Sequence, residues 1–129
     1  ECLSQFIQLR RMGLFLQEDI PRYGLVHRVC ERDHFAENTF QFLVEWYPSS
    51  LVQLDVEGAS PLHCVAQKST SEGFRSVFQY VIRYYPTKEG ISALFTKLDD
   101  GETALQLACV KHGRDVVMRT VKNTINNSD

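Results

Sequence analysis

The sequence predicts an all-α fold of short helices stacked in pairs, and two recurring blocks with their spacings predict it. The first block is Gly58-Ala59-Ser60-Pro61-Leu62-His63-Cys64-Val65-Ala66. It returns 43 residues later as Gly101-Glu102-Thr103-Ala104-Leu105-Gln106-Leu107-Ala108-Cys109, and stands 36 residues earlier as Arg22-Tyr23-Gly24-Leu25-Val26-His27-Arg28-Val29-Cys30. The second block is Phe40-Gln41-Phe42-Leu43-Val44-Glu45-Trp46-Tyr47-Pro48, matched 38 residues on by Phe78-Gln79-Tyr80-Val81-Ile82-Arg83-Tyr84-Tyr85-Pro86. Periods of about 20 to 50 residues mark arrays of stacked units. The Pro closing each second block lacks an N–H donor and restricts the Tyr before it, so both helices are expected to stop at the same turn. Six or seven helices and no extended sheet are expected.

The middle copy of the first block resembles the ankyrin motif G-x-T-P-L-H-x-A, in which Ser or Thr caps a short helix and Pro occupies its first turn. The first copy keeps Val26 and His27, and the third keeps Thr103, Leu105 and Ala108. The resemblance implies an ankyrin-like helix-turn-helix solenoid with short hairpin-like fingers. It also implies that His27 and His63 are structural, their ring nitrogens tying neighbouring fingers together. Two departures mark a divergent array: Pro48 and Pro86 end the second helices where the consensus has Gly, and Arg22 replaces the turn Gly of the first finger.

Taken in order, the chain reads as one domain over 1–129. Residues 1–18 form a truncated unit or a capping helix, with Leu3, Phe6, Ile7, Leu9 and Met12 at helical spacing and Met12-Gly13 at its end. The first repeat is 19–54, its finger Asp19-Ile20-Pro21-Arg22-Tyr23 reshaped around Pro21 and Gly24. Its helices are expected over 24–32 and 36–47, with Leu51, Val52 and Leu54 tucked under the finger. The second repeat is 55–96, with a polar loop over 68–73 between its helices and an insertion at 87–91. The third is 97–125, its helices over 103–111 and 115–121. The tail, polar from 123 and assigned as 126–129, is expected to fray.

Composition narrows the functional classes. The 129 residues carry a formal net charge of -2, which offers no bulk attraction to nucleic acid or anionic membrane. No apolar run of about 18 residues exists for a membrane span, and no leader resembles a signal peptide. Opening on Glu, the chain is expected to be a piece of a longer protein. The four cysteines are separated by gaps of 27, 33 and 44 intervening residues, without a C-x-x-C pair or zinc-finger spacing. Cys30 and Cys109 fill the slot of Ala66, so they read as small buried residues. Free thiols suit a reducing compartment, cytosol or nucleus.

Catalytic, metal and cofactor roles find no support in the pattern. His63 and Cys64, adjacent on a helix, point about 100° apart and cannot act as base and nucleophile on each other. His27 and Cys30 could touch, but a thiolate in a buried slot is disfavoured. Asp99-Asp100 lack the converging oxygens calcium needs. Trp46, Tyr47, Tyr80, Tyr84 and Tyr85 repeat at helical spacing and read as packing, not as a base-stacking platform. No cofactor is expected.

The resemblance therefore implies a non-enzymatic protein-interaction module, a monomer that binds through finger tips and the outer side of each first helix. Carried over unit by unit, that face is Ile20, Pro21, Tyr23, Glu31 and Arg32, then Val56, Glu57, Ala59, Gln67 and Lys68, then Asp99, Asp100, Glu102, Val110 and Lys111. Its acidic fingers suit a protein partner with a basic segment, with Tyr23 and Val56 as apolar anchors. The alternative is a structural spacer or regulatory segment attached to a catalytic or membrane domain.

Overall fold

The computed structural model describes residues 2–86 and 88–127. They build an all-α fold: α1 (Cys2–Arg11), α2 (Asp19–Arg22), α3 (Leu25–Cys30), α4 (Glu37–Trp46), α5 (Pro61–Lys68), α6 (Ser71–Tyr84), α7 (Lys88–Ser92), α8 (Ala104–His112) and α9 (Arg114–Asn126). Short 3-10 turns cover Pro48–Val52 and Ala93–Phe95. Extended pairing among the described residues is limited to a single bridge between Lys97 and Thr103. The helices outnumber the six or seven expected because two one-turn helices, α2 and α7, form in stretches read as finger and insertion.

The long helices begin and end where local chemistry dictates. Ser60 accepts from the His63 N–H at the start of α5, with Pro61 in the first turn, and Thr103 accepts from the Gln106 N–H at the start of α8. In both, the side chain three residues on returns a bond to the cap's own N–H, completing a capping box. At the other end, α4 and α6 stop before Tyr47 and Tyr85, which leave helical geometry at φ -139° and -130° ahead of Pro48 and Pro86.

Three boundaries differ from expectation. The loop at 68–73 shrinks to Ser69 and Thr70, because Thr70 accepts from the Gly73 N–H and starts α6 at Ser71. Gly73 lies inside that helix; a Cβ there would stand 3.0 Å from Phe35 Cγ and 3.1 Å from Val65 Cγ2, so close packing explains the residue. Residues 123–126 do not fray but continue α9, held by buried Thr124 and by Ile125 against the core. Of the expected tail, Ser128 and Asp129 lie outside the described residues, as does Thr87 of the insertion. The first finger is the helical turn α2, entered without a side-chain cap. It passes into α3 through Gly24 at φ +59°, a left-handed backbone that suits Gly.

A single core cluster runs from Phe15 to Val121. Phe40, Leu43 and Val44 of α4 and Phe74, Val77, Phe78 and Val81 of α6 fill it from one side. Leu62, Val65 and Ala66 of α5 and Ala104 and Ala108 of α8 fill it from the other. α3 packs on α5 and α5 on α8, while α6 packs on α9 and α1 on α4. Leu51 is buried as expected, but Val52 and Leu54 are exposed, since the 3-10 turn after Pro48 rotates them outward. The aromatic set packs: Phe40 and Tyr80 meet edge to face at 5.5 Å, Tyr80 stacks on Tyr84, and Arg10 lies 4.1 Å over the Trp46 ring.

Candidate interaction face

The second and third fingers are built alike from their own backbones. In the second, Asp55 N–H donates to Ala59 O at 2.9 Å and Gly58 N–H to Asp55 O at 3.1 Å. In the third, Leu98 N–H donates to Glu102 O at 2.8 Å and Gly101 N–H to Leu98 O at 2.9 Å. Carboxylates set the tips: Asp55 Oδ1 accepts from Glu57 and Ala59 N–H, and Asp100 Oδ1 accepts from Glu102 N–H. The Asp99 N–H reaches across to Glu57 O at 3.5 Å, so one finger leans on the next.

Histidines fasten the fingers to the helices before them. The Ser60 backbone N–H can only donate, so His63 Nδ1 accepts from it at 3.2 Å; the Thr96 carbonyl can only accept, so His63 Nε2–H donates to it at 2.7 Å. This fixes a neutral ring with its proton on Nε2. Burial pushes the His63 pKa below its ordinary value against the pull of Thr96, Asp55 and Asp100. His27 Nε2 repeats the tie 3.0 Å from Ala59 O, where the carbonyl again requires the ring to donate. Gln106, at the same position of the third copy, closes only its own capping box.

Three adjoining recesses follow this side of the molecule. The first, about 730 Å³, lies between α3 and the second finger and includes Pro21, Tyr23, Glu31, Asp55 and Val56. The second, about 120 Å³, shares Glu31 and Asp55 and adds Glu57, Ala59, Gln67, Lys68 and Asp100. The third, about 600 Å³, shares Gln67 and adds Glu102, Val110 and Lys111. Of the expected face, Val56 is 98 % exposed, Val110 87 % and Tyr23 56 %. Asp99 is exposed but packs beside Gly58, and Arg32 lines a separate slot near α1.

Two members of the expected face are corrected. Ile20 is fully buried because α2 turns it into the core. Ala59 is 8 % exposed, since its N–H bonds Asp55 and its carbonyl receives both Asp55 and His27, which pulls the methyl group inward.

A cluster that spacing did not reveal lies where the first two recesses meet. Ligand atoms of Glu31, Asp55 and Cys64 come within 4.8 Å of one another. Residues 24 and 9 positions apart form no motif; only the stacking of α3 on α5 brings them together. Burial, then the Glu31 and Asp55 carboxylates, push the Cys64 pKa up to about 12, so the group is a thiol between two acids near neutral pH. Cys30 is also raised, first by burial and then by Cys64 and Glu31. Cys109 is half-buried, more open than the expected slot, and all three thiols are free.

Elsewhere, a cleft of about 790 Å³ between α6 and α9 carries Arg75, Arg83 and Arg119, and no described helix is long and apolar enough to cross a membrane. No family model, curated protein or solved structure matches the chain.

Proposed function

We propose that this chain is a divergent ankyrin-like solenoid serving as a non-enzymatic protein-interaction module. The adjoining recesses along the fingers and first helices carry the reading. They expose Tyr23 and Val56 beside Glu31, Asp55, Glu57 and Asp100, with Lys68 the cation in the middle recess. Apolar anchors flanked by carboxylates suit a protein segment bearing Lys or Arg, where charge acts on association rate and anchors on residence time. The histidine ties support the ankyrin-like assignment, because His27 reaches the backbone of the second finger and His63 the stretch that leads into the third. Free thiols support residence in cytosol or nucleus, and the protein acts as a monomer.

The test begins with capture of proteins by the purified chain. The captured partner is then compared on the parent, Tyr23→Ala and Asp99→Lys/Asp100→Lys at two salt concentrations. Tyr23→Ala is expected to weaken binding by about 2 kcal/mol, mainly through dissociation. The double reversal is expected to slow association at low salt. Unchanged kinetics in both variants refute this face, and a chain that captures nothing is a structural spacer.

A further inference from the structure

We propose that the cleft between α6 and α9 binds a small anion carrying two or more phosphate groups, either free or as the headgroup of a lipid. The cleft holds about 790 Å³, within the range of about 300 to 1,000 Å³ that ligand pockets occupy. Its walls are one face of each helix. Arg75, Gln79 and Arg83 follow one another at single turns along α6, and Arg119, Asn123 and Thr124 line it from α9. Both walls belong to described helices that pack on each other. The cleft shares no residue with the three recesses along the fingers, so it requires no ligand there.

Charge and an unmet hydroxyl identify it as a site. Three guanidinium groups line the cleft and no carboxylate does. Glu72 and Asp115 stand one turn before Arg75 and Arg119, yet neither lines the cleft, and none of the three arginines forms an ion pair with a described carboxylate. A cleft lined by one sign of charge concentrates ions of the other. Arg83 is steadied by Tyr80 and Tyr84, whose ring centres each lie 5.7 Å from its guanidinium carbon. Thr124 is an independent sign of a ligand. It is 7 % exposed, and its hydroxyl bonds no described group, whereas Thr120 one turn earlier spends its own on the Val116 carbonyl at 2.9 Å. A buried hydroxyl without a partner costs stability until a ligand atom meets it.

Spacing and donor chemistry separate phosphates from other anions. Arg75 and Arg83 are two turns apart, about 12 Å along α6, so a lone inorganic phosphate meets only part of the cleft. The walls are rich in N–H donors, from the guanidinium forks and from the amides of Gln79 and Asn123. A phosphate group brings a charge of about -1.5 to -2 and three acceptor oxygens, so two of them neutralise the three arginines where two carboxylates would not. Guanidinium forks also match phosphate oxygens two at a time. No aromatic side chain lines the cleft, which leaves no platform on which a nucleobase could stack.

Calorimetric titration of the purified chain with tripolyphosphate, inorganic phosphate and a polyglutamate peptide tests the site. Tripolyphosphate is expected to bind at least about tenfold more tightly than either of the others. Arg119→Gln and the double variant Arg75→Gln/Arg83→Gln are each expected to weaken it at least about tenfold, since each removes charge-assisted bonds. All three arginines are exposed, so these changes leave the core intact. Lys122→Gln, which removes an exposed cation of α9 outside the cleft, is expected to change nothing. Sedimentation with phosphatidylcholine vesicles containing phosphatidylinositol bisphosphate, reversed by tripolyphosphate, assigns the phosphates to a lipid headgroup. Tripolyphosphate binding without sedimentation assigns them to a free molecule. Polyglutamate binding as tightly as tripolyphosphate overturns the proposal, since the cleft then reads an acidic protein segment. Equal affinity for inorganic phosphate and tripolyphosphate overturns it too, as does a loss in Lys122→Gln as large as in the arginine variants. Chemical-shift mapping on the parent chain decides independently of any variant: perturbation of Gln79, Asn123 and Thr124 supports the cleft, and perturbation confined to Gln67 and Lys111 of the finger side overturns it.

Discussion

Residues 19–54 and residues 55–96 carry the same two sequence blocks and realise them differently. α5 starts from a Ser60 cap and Pro61 and runs eight residues, between α3 on one side and α8 on the other. α3 starts from Gly24 without a side-chain cap and runs six, with α5 on one side and an open slot on the other. His63 bonds at both ring nitrogens, within its own turn and across to Thr96, while His27 makes a single tie to Ala59. The difference teaches that the pattern sets where a helix can form. How long and how rigid it becomes depends on caps and on neighbours that cover both faces.

The largest test of this contrast is truncation on either side of it. Phe78 is fully buried in α6, so Phe78→Ala is expected to cost about 3 to 5 kcal/mol in urea unfolding. Leu25 stands at the open slot, and Leu25→Ala is expected to cost only about 1 kcal/mol, because part of its surface is already wet. Equal costs would mean that the slot is as tightly packed as the core. Next in size are the histidines. His63→Ala leaves both the Ser60 N–H and the Thr96 carbonyl without their partner, for a loss of about 1 to 3 kcal/mol. His27→Ala gives up one bond and is expected to lose less; a reversed order breaks the account.

What the chain order revealed was local, and what it hid was spatial. The stops at Tyr47 and Tyr85 and the caps at Ser60 and Thr103 depend on residues within a turn of each other, so they were legible. The ties from His27 and His63 reach 32 and 33 residues along the chain and came only through the family resemblance. Gly73 was misread as a loop residue, because the reason for it is Phe35, in the connection before α4, and Val65 of α5, both packed against it. Ile20 and Ala59 were placed on the face since finger positions are usually exposed; α2 and the bonds to Ala59 decide otherwise. The Glu31, Asp55 and Cys64 cluster required the stacking itself.

Acid and alkali probe the same contrast through protonation. His63 is held below its ordinary 6.5, so the unfolded chain binds that proton more readily than the folded one. Its contribution is therefore complete above about pH 6.5 and falls as pH drops towards the folded value; His112, also lowered by burial, adds in the same direction. Cys64 is raised from 9.0 to about 12, so the folded chain keeps its proton longer, and stability present below pH 9 is lost on the way to 12. Urea midpoints at pH 5, 7.5 and 10 should trace a maximum in the middle. His63→Gln is expected to flatten most of the acid limb, and Cys64→Ala part of the alkaline one. A parent curve that is flat between pH 5 and 7.5 would show that His63 takes up its proton with equal ease folded and unfolded.

The smallest effect compares two caps that look alike in sequence. Ser60 and Thr103 each accept from the N–H three residues on, and each receives a side-chain partner in return. Removing such a cap costs about 0.5 to 2 kcal/mol. Ser60 is buried, and its Oγ lies 2.9 Å from His63 Nδ1, so Ser60→Ala strips a partner from a ring that water cannot reach. The bonds of Thr103 are exposed, and water can take over the freed Gln106 N–H and Oε1 in Thr103→Ala. Ser60→Ala is thus expected near the upper end of that range and Thr103→Ala near the lower. In the double variant Ser60→Ala/His63→Ala the losses should fall short of additive, since both changes break one network. Additive losses would mean that the cap and the tie to Thr96 act separately, and that α5 would start as firmly without that tie as with it.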